Sequence, residues 1–536
     1  MPGQNPAVTA ADANVSPRRW RFPLLVTAVV GLLIIVAWTA EHDRLDNALR
    51  TVITILVGLL ASIVLFLWWV LFSGFSIRLR VLVAVLLIAV VGSFVSSVRQ
   101  VAFTGDMTPQ FTFRWEPLPA DELEAHRAGM VTHDAVPTVE VSKIGPSDIA
   151  EYRGPQRDGI VAGPALSRDW ETSPPPLRWR QPVGLGYASF AVVGPTAITI
   201  EQRRENEAVV CYDTSTGAEL WVHKYPALFE ESLGGNGPRA TPTIFADVVV
   251  ALGGTGVLSC LDRATGDEKW SVTILEDNGV KNVEWGMAGS PLVVNDMVIV
   301  APGAQKGGEE SSAVVGYDIQ TGNRMWSGGK TTASYASPVL ATLDGVDQVV
   351  QFDAGGLSAY DVTTGQRWWH HPWKSEYDTN AAQPVLLPGD RVLITSNVGV
   401  TLLQLTHEES EWTITPLWKN RNLKADYANA IARDGYLYGL DKGIMVCLDL
   451  ESGERLWKGG RYGHGQMLLS NDLLVLLSEK GELVLVEATP QEHRELTRFQ
   501  AIEGRTWNNP TLVDGIIYIR NHLEMASYDL RASTSP

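Results

Sequence analysis

Cysteine is scarce in this chain. There are three, Cys211, Cys260 and Cys447, with no C-x-x-C motif and no adjacent pair. Each stands just before the Tyr/Leu-Asp of a repeated motif, and equivalent positions in stacked repeats do not come within disulfide reach. They read as small buried strand residues and carry no information on redox compartment. Positive charge is also in deficit: 43 Lys and Arg against 60 Asp and Glu give a net charge of −17. That balance argues against a nucleic-acid partner. No G-x-x-x-x-G-K-[ST] is present, so GAQKGGEESS (Gly303 to Ser312) reads as an extended loop and not a phosphate cradle. G-x-S-x-G and H-E-x-x-H are absent too. His370 and His371 lack the spacing of paired metal ligands, which points to a surface or interblade role.

Tryptophan, in contrast, is abundant, at 18 residues, and a repeat accounts for much of it. VVCYDTSTGAELW (Val209 to Trp221) recurs in LSCLDRATGDEKW, VVGYDIQTGNRMW, LSAYDVTTGQRWW and MVCLDLESGERLW. The shared positions are Asp213, Gly217 and Trp221; Asp262, Gly266 and Trp270; Asp318, Gly322 and Trp326; Asp361, Gly365 and Trp369; and Asp449, Gly453 and Trp457. Physically the motif is a strand, a tight turn and a second strand. The Asp carboxylate accepts amides two or three residues on, and the Gly supplies a left-handed turn position. The Trp brings a large ring to pack on a neighbouring copy and an indole N–H that needs an acceptor.

Spacing predicts the architecture. The closing Trp residues, with a weaker copy at Trp418, are separated by 49, 56, 43, 49 and 39 residues. Repeats of about 40–50 residues holding four short strands are propeller blades. A small-polar-Pro marker precedes each blade: ATP from Ala240, GSP from Gly289, ASP from Ala336, AQP from Ala382 and NNP from Asn508, with degenerate forms at Tyr187, Tyr427 and Gly463. That makes eight. Asp markers give the same count, with lapsed copies near Leu405 and at Glu487. The last copy ends at Leu530 without a Trp strand, so LRWRQPV (Leu177 to Val183) is expected to close the ring and leave no open edge. The fold class expected is all-β, an eight-bladed propeller of four-stranded antiparallel blades behind three transmembrane helices.

Those helices are read from the apolar runs Phe22 to Ala40, Thr51 to Phe72 and Val81 to Val98, each long enough to span a bilayer. Arg18, Arg19 and Arg21 precede the first run, and Arg78 and Arg80 lie between the second and third. By the positive-inside rule, residues 1–20 form a cytoplasmic tail and everything after Val98 is extracytoplasmic. The third run, with Gly92, Ser93, Ser96 and Ser97, is the weakest of the three. The domains expected are thus 1–20 tail, 21–98 membrane helices, 99–176 Pro-rich linker and collar, 177–530 propeller and 531–536 tail. Within the linker, DELEAHRAGM (Asp121 to Met130) suits a short helix, and YRGPQRDGI (Tyr152 to Ile160) a turn-rich collar.

The Y/L-D-x-x-T/S-G-x-x-x-W repeat, the small-polar-Pro marker and the R-G-P-x-R-D-G lead-in resemble the pyrroloquinoline-quinone (PQQ)-repeat propellers. That superfamily joins quinoprotein dehydrogenases to BamB-like outer-membrane assembly factors, which bind no quinone. The resemblance implies two readings from different classes. One is a non-catalytic scaffold at the inner membrane, periplasmic in orientation, binding a protein partner on its rim or face and needing no cofactor. The other is a dehydrogenase using PQQ and calcium to oxidise an alcohol or sugar and passing electrons to membrane quinone. That second reading implies six to eight oxygens about the calcium and, in many members, a vicinal disulfide, which this chain lacks. The N-terminal Cys through which the assembly factors are usually lipidated is also lacking.

Residues just before the markers are the candidate funnel lining: Tyr187, Arg239, Glu284, Trp285, Tyr335, Asp378, Asn380, Asp426, Tyr427, His464, Arg505 and Trp507. Trp285 or Trp507 would stack on a planar ring, Arg239 or Arg505 would pair a carboxylate, and Glu284, Asp378 or Asp426 would hold metal or act as base. The plainer reading is that these are the polar groups any propeller places around a wet channel. The motif Asp residues are turn-formers.

Overall fold

Trp221 on the outer strand of one blade lies over Gly266 in the turn of the next, and this contact repeats around the molecule. In the computed structural model, residues 20–40, 47–130, 139, 141–307, 312–409 and 411–532 are described. The expected N-terminal tail through residue 19, residues 41–46 of the first loop, residues 308–311 of the Gly303 to Ser312 loop and the end of the C-terminal tail lie outside them. The chain divides into two units, Met1–Glu116 and Pro117–Pro536.

The first unit holds helices α1 (Arg21–Thr39), α2 (Asn47–Phe72) and α3 (Ile77–Ser97). All three are long and apolar enough to cross a membrane, with mean hydropathies of 2.4, 2.7 and 2.5. α3 starts four residues before its apolar run because Ser76 caps it, accepting the Leu79 amide at 3.4 Å. Arg78 and Arg80 therefore sit in its first turn, and Arg80 reaches back to the Val70 carbonyl at 2.7 Å. A hairpin follows, β1 (Val98–Phe103) and β2 (Pro109–Phe113). Sequence pattern did not reveal it, because a bulge at Arg99 breaks the alternation.

The second unit is an eight-bladed propeller, each blade an antiparallel sheet of four strands. Blade 1 runs through Ala191–Val193, Thr196–Arg203, Asn206–Asp213 and Glu219–Pro226, from axis to rim. Its second strand is wholly buried, as are Val248–Leu252 in blade 2 and Leu473–Leu477 in blade 7. A blade has neighbours on both faces, so its second and third strands are buried along nearly their whole length. Blade 8 takes its outer strand from the start of the propeller: Leu177–Pro182 pairs with Glu524–Asp529, placing Trp179 opposite Ser527. The ring closes as the sequence predicts.

The repeat motif is an interblade dock. Asp318 Oδ1 accepts the Gln320 and Thr321 amides at 3.1 and 2.8 Å, and the Thr321 hydroxyl and amide hold its carboxyl below the usual range. Gly217, Gly266, Gly322, Gly365 and Gly453 all have φ between +70° and +77°. A Cβ at Gly266 would lie 2.5 Å from the Trp221 ring, so the turn needs Gly for shape and for space. The indole N–H then bonds the carbonyl beside the next blade's Asp: Trp179 to Thr214, Trp221 to Arg263, Trp270 to Ile319, Trp326 to Val362 and Trp418 to Leu450, all at 2.8–3.1 Å.

Lapsed copies are replaced, not lost. Blade 5 has no Asp-Gly turn, since Gly399–Glu408 and Glu411–Asn420 run on as a long hairpin whose Trp412 stacks on Trp368. Trp369 consequently donates to Gln348 within its own blade, at 2.6 Å. At Glu487 the acceptor shifts one residue on, and Trp457 donates to the Thr489 carbonyl at 2.9 Å. In blade 7, Thr497 occupies the Trp position, and Trp170 from the preceding segment packs there on Phe499 at 5.3 Å.

The marker's polar residue ties most inner strands to the next. The Ser189 amide donates to Thr241, Thr241 to Ser290 and Ser290 to Ser337, at 2.8–3.0 Å; the Gln383 amide donates to Asn429 and that of Asn429 to Gln466. Collar residues cross the channel along this girdle. Arg153 donates to the Met467 carbonyl of blade 7 and Asn509 of blade 8, while Arg157 donates to carbonyls of Ser290, Pro291 and Pro338 in blades 3 and 4. The Tyr152 hydroxyl accepts from Asn429 and Asn509 at 3.0 and 3.1 Å. Ile160–Val161 adds a parallel fifth strand inside blade 7. This segment plugs the channel. Upstream, helix α4 (Pro119–Gly129) is pinned to blade 1 by Arg127–Glu219 and by Arg204 with Asp121 and Glu124.

The Trp–Gly dock makes two substitutions unequal. Trp221→Phe keeps a ring and loses one hydrogen bond, at a cost of about 1 kcal/mol. Gly266→Ala forces both a disfavoured φ and a clash, and costs about 3 kcal/mol. Denaturant midpoints of the two variants against the parent chain measure the difference.

Candidate functional site

The connections from each outer strand to the next inner strand meet on one side of the girdle, and the sequence-selected residues lie in them. They fall into separate groups. The largest draws on blades 6, 7, 8 and 1. There the Arg505 guanidinium lies 4.3 Å from the Trp507 ring centre and donates to the Tyr187 hydroxyl. Arg239 lies 5.5 Å from the Tyr187 ring and 5.2 Å from Phe229, and donates to the Gly235 and Gly237 carbonyls, both at 2.8 Å. Trp507 meets Tyr427 edge-on at 5.3 Å, and Tyr427 stacks on His464 at 4.9 Å. Burial pushes the phenols of Tyr187 and Tyr427 up, and among the described residues the Tyr427 hydroxyl has no hydrogen-bond partner.

Charge in this group is matched internally. Asp426 receives Lys442 at 2.7 Å on one oxygen and faces His464 at 3.6 Å with the other. Glu479 accepts the Trp507 indole at 3.0 Å and the His464 amide at 3.2 Å. His522 stacks 6.1 Å from Tyr187, and burial followed by the Arg505 charge holds its pKa down at about 4, so it is neutral. Lys442, Glu479 and His522 escaped sequence reasoning. All three sit in turns between a blade's second and third strands, in D-K-G, S-E-K-G and N-H-L, and a search of that turn in every repeat would have found them.

The remaining candidates begin at the Arg239 end of this group, where a Cβ at Gly234 would lie 2.8 Å from the Arg239 guanidinium and 2.9 Å from the Trp285 ring. Trp285 and Tyr335 form a tilted pair at 5.5 Å, with Glu284 exposed beside them. Asn380 is buried: its side-chain NH2 donates to the Asp353 carbonyl at 2.7 Å, and its backbone carbonyl accepts the Tyr335 and Ala336 amides. Asp378 borders a cleft of about 500 Å³ with Lys306, Lys330, Lys374 and Trp373. Glu284, Asp378 and Asp426, grouped by the sequence as possible metal ligands, thus have different surroundings. Among the described residues no three His, Cys, Asp or Glu gather to hold a metal.

Comparison with known proteins follows from this architecture. The family model described as outer membrane protein assembly factor BamB matches residues 179–459, over half of the chain. The chain belongs to the BamB family of PQQ-repeat propellers. No curated protein sequence matches it. Among solved structures, BamB from Moraxella catarrhalis is 17% identical, with 67% of this chain and 99% of that one covered at a TM-score of 0.47. Quinohemoprotein alcohol dehydrogenases from Pseudomonas putida and Comamonas testosteroni both score 0.52, at 14% and 13% identity. They cover 75% and 78% of this chain and 85% of their own. At such identities the likeness to the dehydrogenases shows a shared fold.

Beneath the cleft, Asp353 is buried and accepts the Thr331 hydroxyl and the Gly355 amide. Burial dominates, raising its pKa from 3.8 to about 6. The unfolded chain therefore loses this proton near pH 4 and the folded chain near pH 6, so stability falls as pH rises across that window. Asp353→Asn keeps the shape without the charge. It should remove that fall and melt higher than the parent above pH 6, by about 2–3 kcal/mol of stability, read from melting curves at pH 4.5 and 7.5.

Proposed function

We propose that this protein is a non-catalytic scaffold, held in the inner membrane by α1–α3, with its propeller on the extracytoplasmic face and a protein partner on the rim or funnel side. Arginines before α1 and in the first turn of α3 support a cytoplasmic position for both under the positive-inside rule, and with three crossings that reading puts the propeller outside. Membership of the outer membrane protein assembly factor BamB family supports an assembly role for the partner-binding surface.

One observation carries the non-catalytic reading: the Trp507, Arg505 and Asp426 side chains that would serve a quinone site are engaged with other protein groups. Trp507 has Arg505 against its ring and its N–H on Glu479; Asp426 is neutralised by Lys442. Calcium requires six to eight converging oxygens, and the funnel carboxylates do not fit that demand. The plug adds a floor of arginine and carbonyl groups closing the channel beneath. No feature of the site favours the dehydrogenase over the scaffold.

Titrating the purified full chain with PQQ and calcium tests this directly. The expected result is no calcium-dependent absorbance change and no rise in melting temperature at high micromolar quinone. Tight, calcium-dependent binding with a raised melting point would replace the scaffold with the dehydrogenase.

A further inference from the structure

The hairpin after α3 is amphipathic, and its position on the helix is fixed. Its register sets Val101 opposite Phe111 and Phe103 opposite Pro109, with Val98 opposite Phe113 at the bulged end. Directly opposed residues share a face, so one face is Val98, Val101, Phe103, Pro109, Phe111 and Phe113. The other carries Gln100, Ala102, Gln110 and Thr112, paired Gln100 with Thr112 and Ala102 with Gln110.

Two bonds clamp this hairpin to the end of α3. The Arg114 amide donates to the Ser97 carbonyl at 2.8 Å, and its guanidinium Nε to the Ser96 carbonyl at 2.9 Å. Both acceptors belong to the last helical turn, which has no acceptor-satisfying amides of its own. The rings follow from the clamp: Phe111 and Phe113 pack on Phe94 at 5.3 and 6.2 Å, and Trp115 stacks on Phe113 at 4.6 Å. Phe94 is in the last turn of α3, so these rings share its depth. Phe111 remains 42% exposed and Trp115 70% exposed. An isolated two-stranded hairpin is marginal in water, and a Trp such as Trp115 at the end of a spanning helix belongs to the interfacial belt.

We infer that this hairpin is a lipid-contacting element, with its apolar face and Trp115 seated at the headgroup–acyl boundary of the leaflet where α3 emerges. The continuity of the rings with Phe94 selects lipid as the occupant, and the polar face with Gln110 and Thr112 turns to water. The inference rests on α3 spanning the bilayer.

Site-specific labelling of the full chain in phosphatidylcholine vesicles tests it. The three native thiols are buried, and burial raises their pKa values, so an environment-sensitive fluorophore goes to an introduced thiol. The variants are Phe111→Cys, Trp115→Cys, Gln110→Cys and, in mid-helix, Leu86→Cys. Labels at 111 and 115 should lose most of their emission to lipid bearing a nitroxide near the headgroup and resist aqueous iodide; the label at 110 should do the reverse. Quenching by iodide at 111 and 115, or by neither agent as a protein cover would give, overturns the interfacial seat. If the label at 86 is not quenched by a deep nitroxide, the membrane anchor fails and the inference with it.

Discussion

The contact between a Trp ring and the turn Gly of the following blade is what the propeller depends on. Blades exchange no strands except at closure, so their order and tilt rest on face-to-face packing and on the indole hydrogen bond that gives it direction. The dock demands three residues at once. Asp caps the turn, Gly takes φ near +75° and leaves room for the ring, and Trp reaches across. The copies that depart from the motif show the same demand. Blade 5 lengthens into a hairpin and turns Trp369 inward, and blade 7 accepts Trp170 from outside the repeat.

Nearer the axis, polar side chains replace rings. A propeller leaves eight inner strands with edges facing a narrow channel, and unpaired backbone there is costly. The markers' Ser, Thr, Asn and Gln residues bond neighbouring backbone around most of the circle. Arg153 then bridges blades 7 and 8, and Arg157 collects three carbonyls from blades 3 and 4. Two buried guanidiniums are tolerable here because oxygens surround them: Arg157 pairs with the Glu151 carboxylate at 2.7 Å as well as with carbonyls, and Arg153 donates to the Met467 and Asp158 carbonyls. Both arginines sit at positive φ, a strained backbone that aims them into the channel.

The funnel is built with the same economy of unpaired groups. In an acidic chain its cations are set against rings, backbone carbonyls and a carboxylate. The less balanced region is the lysine-lined cleft beside Asp378, where the charge of the surface reverses locally.

Fold, blade number and ring closure were legible because they depend on short-range, repeated chemistry. An Asp-to-Gly turn and a Trp strand are each complete within about a dozen residues, and Leu177 to Val183 betrayed itself by carrying the Trp that the last copy lacked. The three apolar runs were legible for a similar reason, as composition alone sets them. Tertiary structure decided the site. Tyr187 meets Arg505 across 318 residues because closing the ring brings the two ends of the propeller together. Trp507 meets Glu479 and Asp426 meets Lys442 where loops 28 and 16 residues apart lie side by side. The same holds for YRGPQRDGI, whose turns were visible but whose plugging of the channel depends on carbonyls from four blades. Local backbone preference is written residue by residue, whereas the partner of a charge is chosen only once distant strands share a surface.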